Sequence, residues 1–494
     1  MKLPQSSKNW ISIFGVTLVL ISLLMIILLW LFSIRSTGGA YLGVVNYIIL
    51  PGLLLLGLIL IPIGMVRKLR SEKHKEQWPS IDLNHPPHRN AFFIFISGTL
   101  LLLFLSAIGS YEAFHLTESV EFCGKLCHEV MNPEYVAYQY SAHARVACVE
   151  CHVGTGASWY VRSKISGLYQ VYAVTFNKYP KPIPTPVKNL RPARETCERC
   201  HWPQKFYTYN QKNEIHFLTD EQNTQWNIHL TLKVGARHSS LGLSEGIHWH
   251  INPDVKVEYI AADSARQNLP WVRLINLKTG KQFTFVDQEN PPDSTILTHG
   301  EKRVMDCMDC HNRPSHNYQP PSFFVNNLMV KDSLLRKLPS FKSLAMEICE
   351  PEYPTTDSAM KAIERGIISF YQEEYPDLAN SNPNLIRNAI QNLQSAYRRN
   401  IFPEMKVRWS VHPNNIGHVE FNGCFRCHDG NHIRADGKAI SRECNLCHLI
   451  NAQGPASRMQ TATFGKSLPF KHPVDIEGAW KESLCTDCHT GLNP

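Results

Sequence analysis

The chain has 494 residues, a formal net charge of +8, and is 44 % hydrophobic and 19 % charged. The charge is modest and no lysine or arginine run follows residue 110, which argues against a nucleic-acid partner. With 31 prolines and 15 cysteines and few long periodic stretches, the bulk of the chain reads as a loop-rich domain held by something other than an ordinary apolar core.

Three segments are long and apolar enough to cross a bilayer, 10–32, 41–66 and 91–110, and none contains a charged residue. Together they make residues 1–110 a membrane anchor. The loop after the second carries Arg67, Lys68, Arg70, Lys73, Lys75 and Arg89, whereas the loop after the first carries only Arg35. The positive-inside rule therefore puts 67–90 in the cytoplasm and everything beyond Ser110 on the outer face. A cleaved signal peptide is the competing reading of the first segment, but its apolar run exceeds a typical signal h-region. No histidine lies in any span, so the spans anchor the chain and do not carry intramembrane haem.

Beyond the anchor, fourteen of the cysteines fall into seven pairs, each followed at once by histidine. Six are strict C-x-x-C-H: Cys148/Cys151/His152, Cys197/Cys200/His201, Cys307/Cys310/His311, Cys424/Cys427/His428, Cys444/Cys447/His448 and Cys485/Cys488/His489. The first, Cys123/Cys127/His128, is one residue longer. In a C-x-x-C-H motif two thiols add to the vinyl groups of one haem and the histidine binds its iron from the proximal side. Zinc also uses paired cysteines but does not require a histidine after every pair, and a disulfide framework has no use for one. The sequence thus predicts seven covalently attached c-type haems, with the polypeptide wrapping them in loops and short helices.

In chain order, 111–205 carries motifs one to three. Residues 206–300 lack a motif and are β-rich, with Trp226–Val234, Val255–Ala261 and 271–286 as strands and Lys278-Thr279-Gly280-Lys281 as a hairpin turn. Motif four lies in 301–322, a helical insert with three helix-like segments fills 323–405, and 406–494 packs the last three motifs. The expected fold class is mainly α and irregular: three transmembrane helices, then a loop-rich multihaem domain with a small β insert and a helical insert. Cys349, the cysteine left over, reads as a buried apolar residue.

Electron-transfer haem needs a second axial ligand, and thirteen histidines outside the motifs lie beyond the anchor, enough to close every iron. The distal candidates are His143, His316, His418 and His432, each near a motif; His248 and His250, flanking Trp249 on an expected strand; and the weaker His299 and His472. A surplus of histidine favours electron transfer over chemistry at an open iron. No C-x-x-C-K, the mark of the catalytic haem in pentahaem nitrite reductases, is present.

Motif one starts thirteen residues after the third span, which puts its haem at the membrane surface. The run from Cys123 through Cys127-His128-Glu129-Val-Met131, Ser-Ala-His143-Ala-Arg and Cys148-Val-Glu-Cys151-His152-Val-Gly resembles the NapC/NirT/NrfH family of membrane-anchored quinol dehydrogenases over about residues 95–205. Cys-His-Asn-Arg-Pro-Ser-His at 310–316 and Cys-Phe-Arg-Cys-His-Asp-Gly at 424–430 are similar to its seven-haem inner-membrane branch in metal-reducing bacteria. The resemblance implies oxidation of menaquinol at haem one and delivery of electrons to periplasmic multihaem cytochromes. It also implies Met131 as an axial ligand of haem one in place of, or opposite, His128, and Lys164 beside the quinol. No carboxylate follows Lys164 on its helix, so Gln170, Glu129, Glu134 or Glu121 stands in as the proton acceptor. The competing readings are a terminal reductase of a small oxyanion such as nitrite, and a passive electron-transfer subunit of a larger complex. The chain is expected in the bacterial inner membrane with its haem domain in the periplasm, alone, as a homo-oligomer or with other respiratory subunits.

Overall fold

The computed structural model describes residues 9–35, 49–71, 83–84, 86–125, 128–154, 156–187, 190–202, 206–235 and 246–491. The chain divides into two units, Met1–Asn132 and Pro133–Pro494.

Unbroken apolar sequence makes the first unit helical: Trp10–Arg35, Leu50–Ser71 and Pro86–Glu118. Two windows, Trp10–Leu29 and Leu50–Lys68, are long and apolar enough to cross a membrane. Residues 41–48 of the expected second span lie outside the described residues, while the expected third span falls within Pro86–Glu118. The first two helices meet through small residues: a Cβ on Gly15 would stand 2.8 Å from the Gly57 carbonyl, and one on Gly57 2.8 Å from that of Gly15. Ser12 adds a hydrogen bond to the Ile61 carbonyl at 2.9 Å. Backbone approach through glycine and serine is how helices pack where apolar side chains gain nothing from each other's company. Leu20, Leu24, Leu55, Ile59, Leu100 and Phe104 point outward, a surface stable only against an apolar medium.

The second unit contains an ordinary core. Helices Pro321–Lys331, Phe341–Cys349, Thr356–Glu374, Pro376–Ser381 and Pro383–Asn400 bury Phe324, Met329, Phe341, Ile363, Ile367, Tyr371, Leu393, Tyr397 and Trp409 together. Ala359, Ile363, Ile367 and Tyr371 recur every fourth residue, as one buried helix face requires. A capping box of Thr355 and Ser358 starts that helix and Pro383 starts the last one. The sequence leads to three helical segments here and the structure has five, because Pro339, Pro376 and Pro383 begin new turns as well as ending old ones. Cys349 sits in this core.

The β-rich region is not one sheet. β1 (Tyr209–Phe217) and β2 (Gln225–Lys233) join β8 (His448–Pro455) and β9 (Gln460–Thr461) in the order β1-β2-β8-β9. β3 (Val255–Ile260), β4 (Trp271–Asn276) and β5 (Gln282–Asp287) form the middle of β6-β3-β4-β5-β7, with β6 at Lys302–Val304 and β7 at His432–Arg434. Asn276 accepts from the amides of Lys278 and Thr279 to close the β4–β5 hairpin, with Gly280 at φ 70°. Both sheets are therefore finished by strands from the last ninety residues, and β8 begins on the motif histidine His448. The expected strand around Trp249 is instead a 3-10 turn, Ile247–Ile251. Gly246, at φ 103°, leads the chain into it where a Cβ would meet the Lys233 carbonyl at 2.7 Å.

Candidate haem sites and quinol site

Each described cysteine-histidine motif is one tight turn. Cys148–His152 and Cys307–Cys310 are single α-turns, and 3-10 turns carry Cys424, Cys444 and Cys485. The histidine amide donates to the carbonyl of the first cysteine: His201 to Cys197 at 2.8 Å, His311 to Cys307 at 2.8 Å, His428 to Cys424 at 3.1 Å and His489 to Cys485 at 2.8 Å. Such a turn presents both thiols on one face with the imidazole one step beyond. Motif four is braced further, since Asp306 and Asp309 form a capping box and Asp309 also accepts from the Tyr259 hydroxyl. No motif cysteine forms a disulfide among the described residues, and no group of three His, Cys, Asp or Glu there could hold a bare metal ion.

The motif cysteines differ in how far the polypeptide alone covers them. Cys200 of motif three and Cys488 of motif seven are exposed, as are Cys151 of motif two and Cys444 of motif six. In motifs two, three and seven the first cysteine, Cys148, Cys197 or Cys485, is half-buried and only the second stands at the surface. Motif spacing specifies which two thiols share a face but carries no information on what distant chain packs over them. Motifs four and five have no exposed cysteine.

Six motif histidines each face a second imidazole. Ring centres stand 6.3 Å apart for His152 and His316, 5.9 Å for His201 and His143, and 6.2 Å for His311 and His248. The others are His428 with His250 at 5.9 Å, His448 with His418 at 6.1 Å and His489 with His472 at 6.1 Å. Two imidazoles on opposite sides of one metal, each nitrogen ~2 Å from it, hold their ring centres about 6 Å apart. The donor set and its spacing fit haem iron.

Backbone carbonyls set the tautomers. Nδ1 of His143 donates to Pro314 at 3.1 Å, His316 to Glu134 at 3.1 Å, His248 to Val234 at 3.1 Å and His250 to Ile247 at 2.9 Å. His428 and His472 do the same to Ser441 and Val474 at 2.8 and 2.7 Å. With Nδ1–H engaged, Nε2 keeps its lone pair for a metal, the usual outer-shell arrangement of a ligating histidine. Burial pushes His152, His248, His250, His311 and His448 below the ordinary histidine range, and His316 and His418 to about 4, which favours the neutral rings that a metal would need. The carbonyl partners leave no mark in a sequence, because any residue type supplies one.

Residues 86–183 match the model of the NapC/NirT cytochrome c family, N-terminal region. The chain is 41 % identical over 489 residues to the cytochrome c-type protein ImcH of Geobacter sulfurreducens, covering 97 % of this chain and 95 % of that protein. The chain belongs to the NapC/NirT family of cytochromes c. A shorter match, 29 % over 120 residues, links it to the cytochrome c-type protein NrfH of Wolinella succinogenes, covering 23 % of this chain and 67 % of that one. No solved structure matches. As a membrane-anchored member of this family the chain is an electron-transfer protein carrying covalent c-type haem.

Two of the distal candidates are not brought to a motif histidine. His432 is 1 % exposed; its Nδ1 bonds the Asp429 carboxylate at 3.0 Å and its Nε2 the Leu269 carbonyl at 2.8 Å. Burial opposes its charge, but the Asp429 bond holds its pKa above the ordinary value, and an imidazolium with both nitrogens donating has no lone pair for iron. A His432→Phe protein is expected to keep its full haem content and low-spin spectrum while losing about 1–3 kcal/mol of stability, read by haemochrome assay and denaturant midpoint. Loss of a haem or of its low-spin signal would make His432 a ligand after all. His299 ends the short helix Ser294–His299, and none of the six ring pairs includes it.

At the first motif, Cys127 and the side chain of His128 lie outside the described residues. Glu129 is exposed in the first turn of helix His128–Gln139, and Met131, one turn on, is half-buried. Lys164 and Gln170 belong to the second unit, on helix Ala157–Thr175. The Lys164 ammonium lies 4.8 Å from the Tyr160 ring centre, and Gln170 donates to Ser166 at 3.3 Å. The same helix exposes Val161, Ile165, Leu168 and Tyr172, followed by Phe176. That unbroken apolar stripe, spaced by three and four residues, flanks the lysine.

Proposed function

We propose that the chain is a menaquinol dehydrogenase of the bacterial inner membrane, held by three spans with its seven-haem domain in the periplasm, delivering electrons to periplasmic multihaem cytochromes. The six imidazole pairs carry this reading. An iron with histidine on both faces has no position for an oxyanion, so the pairs favour transfer over reduction of a substrate at iron. Each haem, when bound, accepts and releases one electron.

The chain's residues do the rest. The fourteen motif cysteines fix each haem by two bonds, and the proximal histidines His128, His152, His201, His311, His428, His448 and His489 take the iron. His316, His143, His248, His250, His418 and His472 would also hold the haems of motifs two to seven, and Met131 is the candidate ligand at motif one. Oxidation of one menaquinol releases two electrons and two protons, so polar groups must receive the protons as the electrons leave singly. Lys164 and Gln170, on one helix, and Glu129, on another, are the groups assigned that role. The apolar stripe around Lys164 is the surface a lipid-soluble quinol would approach, and Arg67 and Lys68 at the end of the second helix keep that end cytoplasmic.

Rapid mixing of the oxidised protein with a menaquinol analogue tests the proposal. Haem reduction is expected within the turnover time, slowed at least about a hundredfold by Lys164→Ala, the low end of a general acid-base contribution. A parent protein that dithionite reduces but quinol does not would instead be a passive subunit fed by another protein.

A further inference from the structure

We infer that the Ile247–Ile251 turn is the junction of the electron path, where electrons cross from the haems of the first four motifs to those of the last three. The inference rests on the proposed quinol-to-cytochrome direction and on the six ligand pairs.

Contacts sort motifs two to seven into two groups, motif one joining the first only as the entry point of the proposed function. Within the first, Glu150 of motif two pairs with Arg199 of motif three at 2.8 Å, and helix Ala193–Cys197 packs against helix Cys307–Cys310 of motif four. Within the second, the His418 ring stacks on Phe425 of motif five at 4.4 Å while facing His448 of motif six, and its Nδ1 lies 3.8 Å from the Cys485 sulfur of motif seven. Thr486 of motif seven donates to Asn422, two residues before motif five, at 2.6 Å. The second group is thus a mutually touching trio.

Two features join the groups at one place. Arg426 inside motif five donates to the Asp309 carbonyl inside motif four at 2.6 Å. Beside them, His248 faces His311 of motif four and His250 faces His428 of motif five. Residues two apart have Cα atoms no more than about 7 Å apart, so one short segment ligates both irons. The turn type matters: on a strand both rings would share a face, whereas a 3-10 turn of three residues per revolution sends them to different sides and to different irons. Each crossing moves one electron and no proton, the iron of motif four becoming ferric as that of motif five becomes ferrous. Strand β2 also meets motif six, the Lys233 amide donating to the Cys447 carbonyl at 2.8 Å, a backbone bond in which no motif of the first group takes part.

The test deletes motif five by Cys424→Ala with Cys427→Ala and follows quinol reduction by rapid mixing, with six haems verified by haemochrome assay and dithionite. The junction predicts that four of the six are reduced at the parent rate and two lag at least a hundredfold; fast reduction of all six would overturn it. If the double variant loses further haem, His250→Ala answers the same question with all seven haems attached. Its iron becomes high-spin and five-coordinate, and the junction predicts that three haems lag. Uniform reduction of all seven would overturn the inference there too. If quinol fails to reduce even the parent, it is the proposed function that fails. The junction is then read by magnetic resonance of partly reduced protein: coupling between the irons of motifs four and five is present in the parent and lost on deletion. Absence of that coupling in the parent would overturn it.

Discussion

A His316→Ala protein is expected to retain all its haems yet convert one iron per chain from low to high spin, at motif two, far away in sequence. His316 follows motif four by five residues, but its ring faces His152 at 6.3 Å and its Nδ1 is fixed by the Glu134 carbonyl. Removing it leaves one axial position open, so the reduced variant should bind carbon monoxide at one site where the parent binds it at none of motifs two to seven. A His316→Met protein should stay low-spin with a raised potential at that iron, since a thioether favours the ferrous state relative to imidazole. Low-temperature magnetic resonance and carbon monoxide titration read both outcomes. A His316→Ala spectrum identical to the parent's would mean that another group ligates the motif-two iron.

Stability should rise with pH between about 7 and 10, and Lys342 should be the cause. This lysine is 0 % exposed, donating to the Ser322 carbonyl at 2.6 Å and to Asn326 at 2.8 Å. Burial pushes its ammonium down to about 7, against the pull of the Glu420 carboxylate. Its folded pKa lies below the unfolded value near 10.4, so between the two the unfolded chain binds more protons and stability grows with pH. The slope is at most about 1.4 kcal/mol per pH unit, a few kcal/mol across the window. Below pH 7 the folded lysine is charged as well and the gain is gone. Denaturant midpoints at pH 7 and 9.5 should diverge for the parent and coincide for Lys342→Met, which keeps the volume without the charge. Equal pH dependence in both proteins would exonerate the lysine.

What the sequence revealed and what it hid follow from the range of the interactions. Attachment motifs are local, so their spacing alone declares them, as does the unbroken apolar length of the first helices. The four-residue recurrence from Ala359 to Tyr371 likewise announces a helix with one buried face. How each motif is covered is not local: Cys200 and Cys488 stand exposed while Cys310 and Cys427, in the same local pattern, do not. Ligand pairing is not local either. His143 lies five residues before motif two but faces His201 of motif three, and His418, six before motif five, faces His448 of motif six. A residue just outside a motif starts on the proximal side of its own haem, and the chain must travel round the ring to reach the far side. The far face of a neighbouring haem is nearer. His432, four residues after His428, turns instead into the sheet at β7 and bonds Asp429 and Leu269. β7 and β9 are three and two residues long, too short for any alternation to register, so the completion of both sheets by the last ninety residues left no local signature. The His-Trp-His segment shows the cost of a wrong local geometry: as a strand it offers both rings to one face, and as a 3-10 turn it faces two different motif histidines, His311 and His428.

The most direct test of the account counts irons and their spin states together on the purified, oxidised protein. Seven covalently bound haem irons per chain are expected, at least six of them low-spin with two imidazole ligands, and at most one, at motif one, of another kind. Two or more high-spin irons, or bound zinc in place of haem, would contradict it, the first by opening positions for substrate chemistry and the second by removing the electron path altogether.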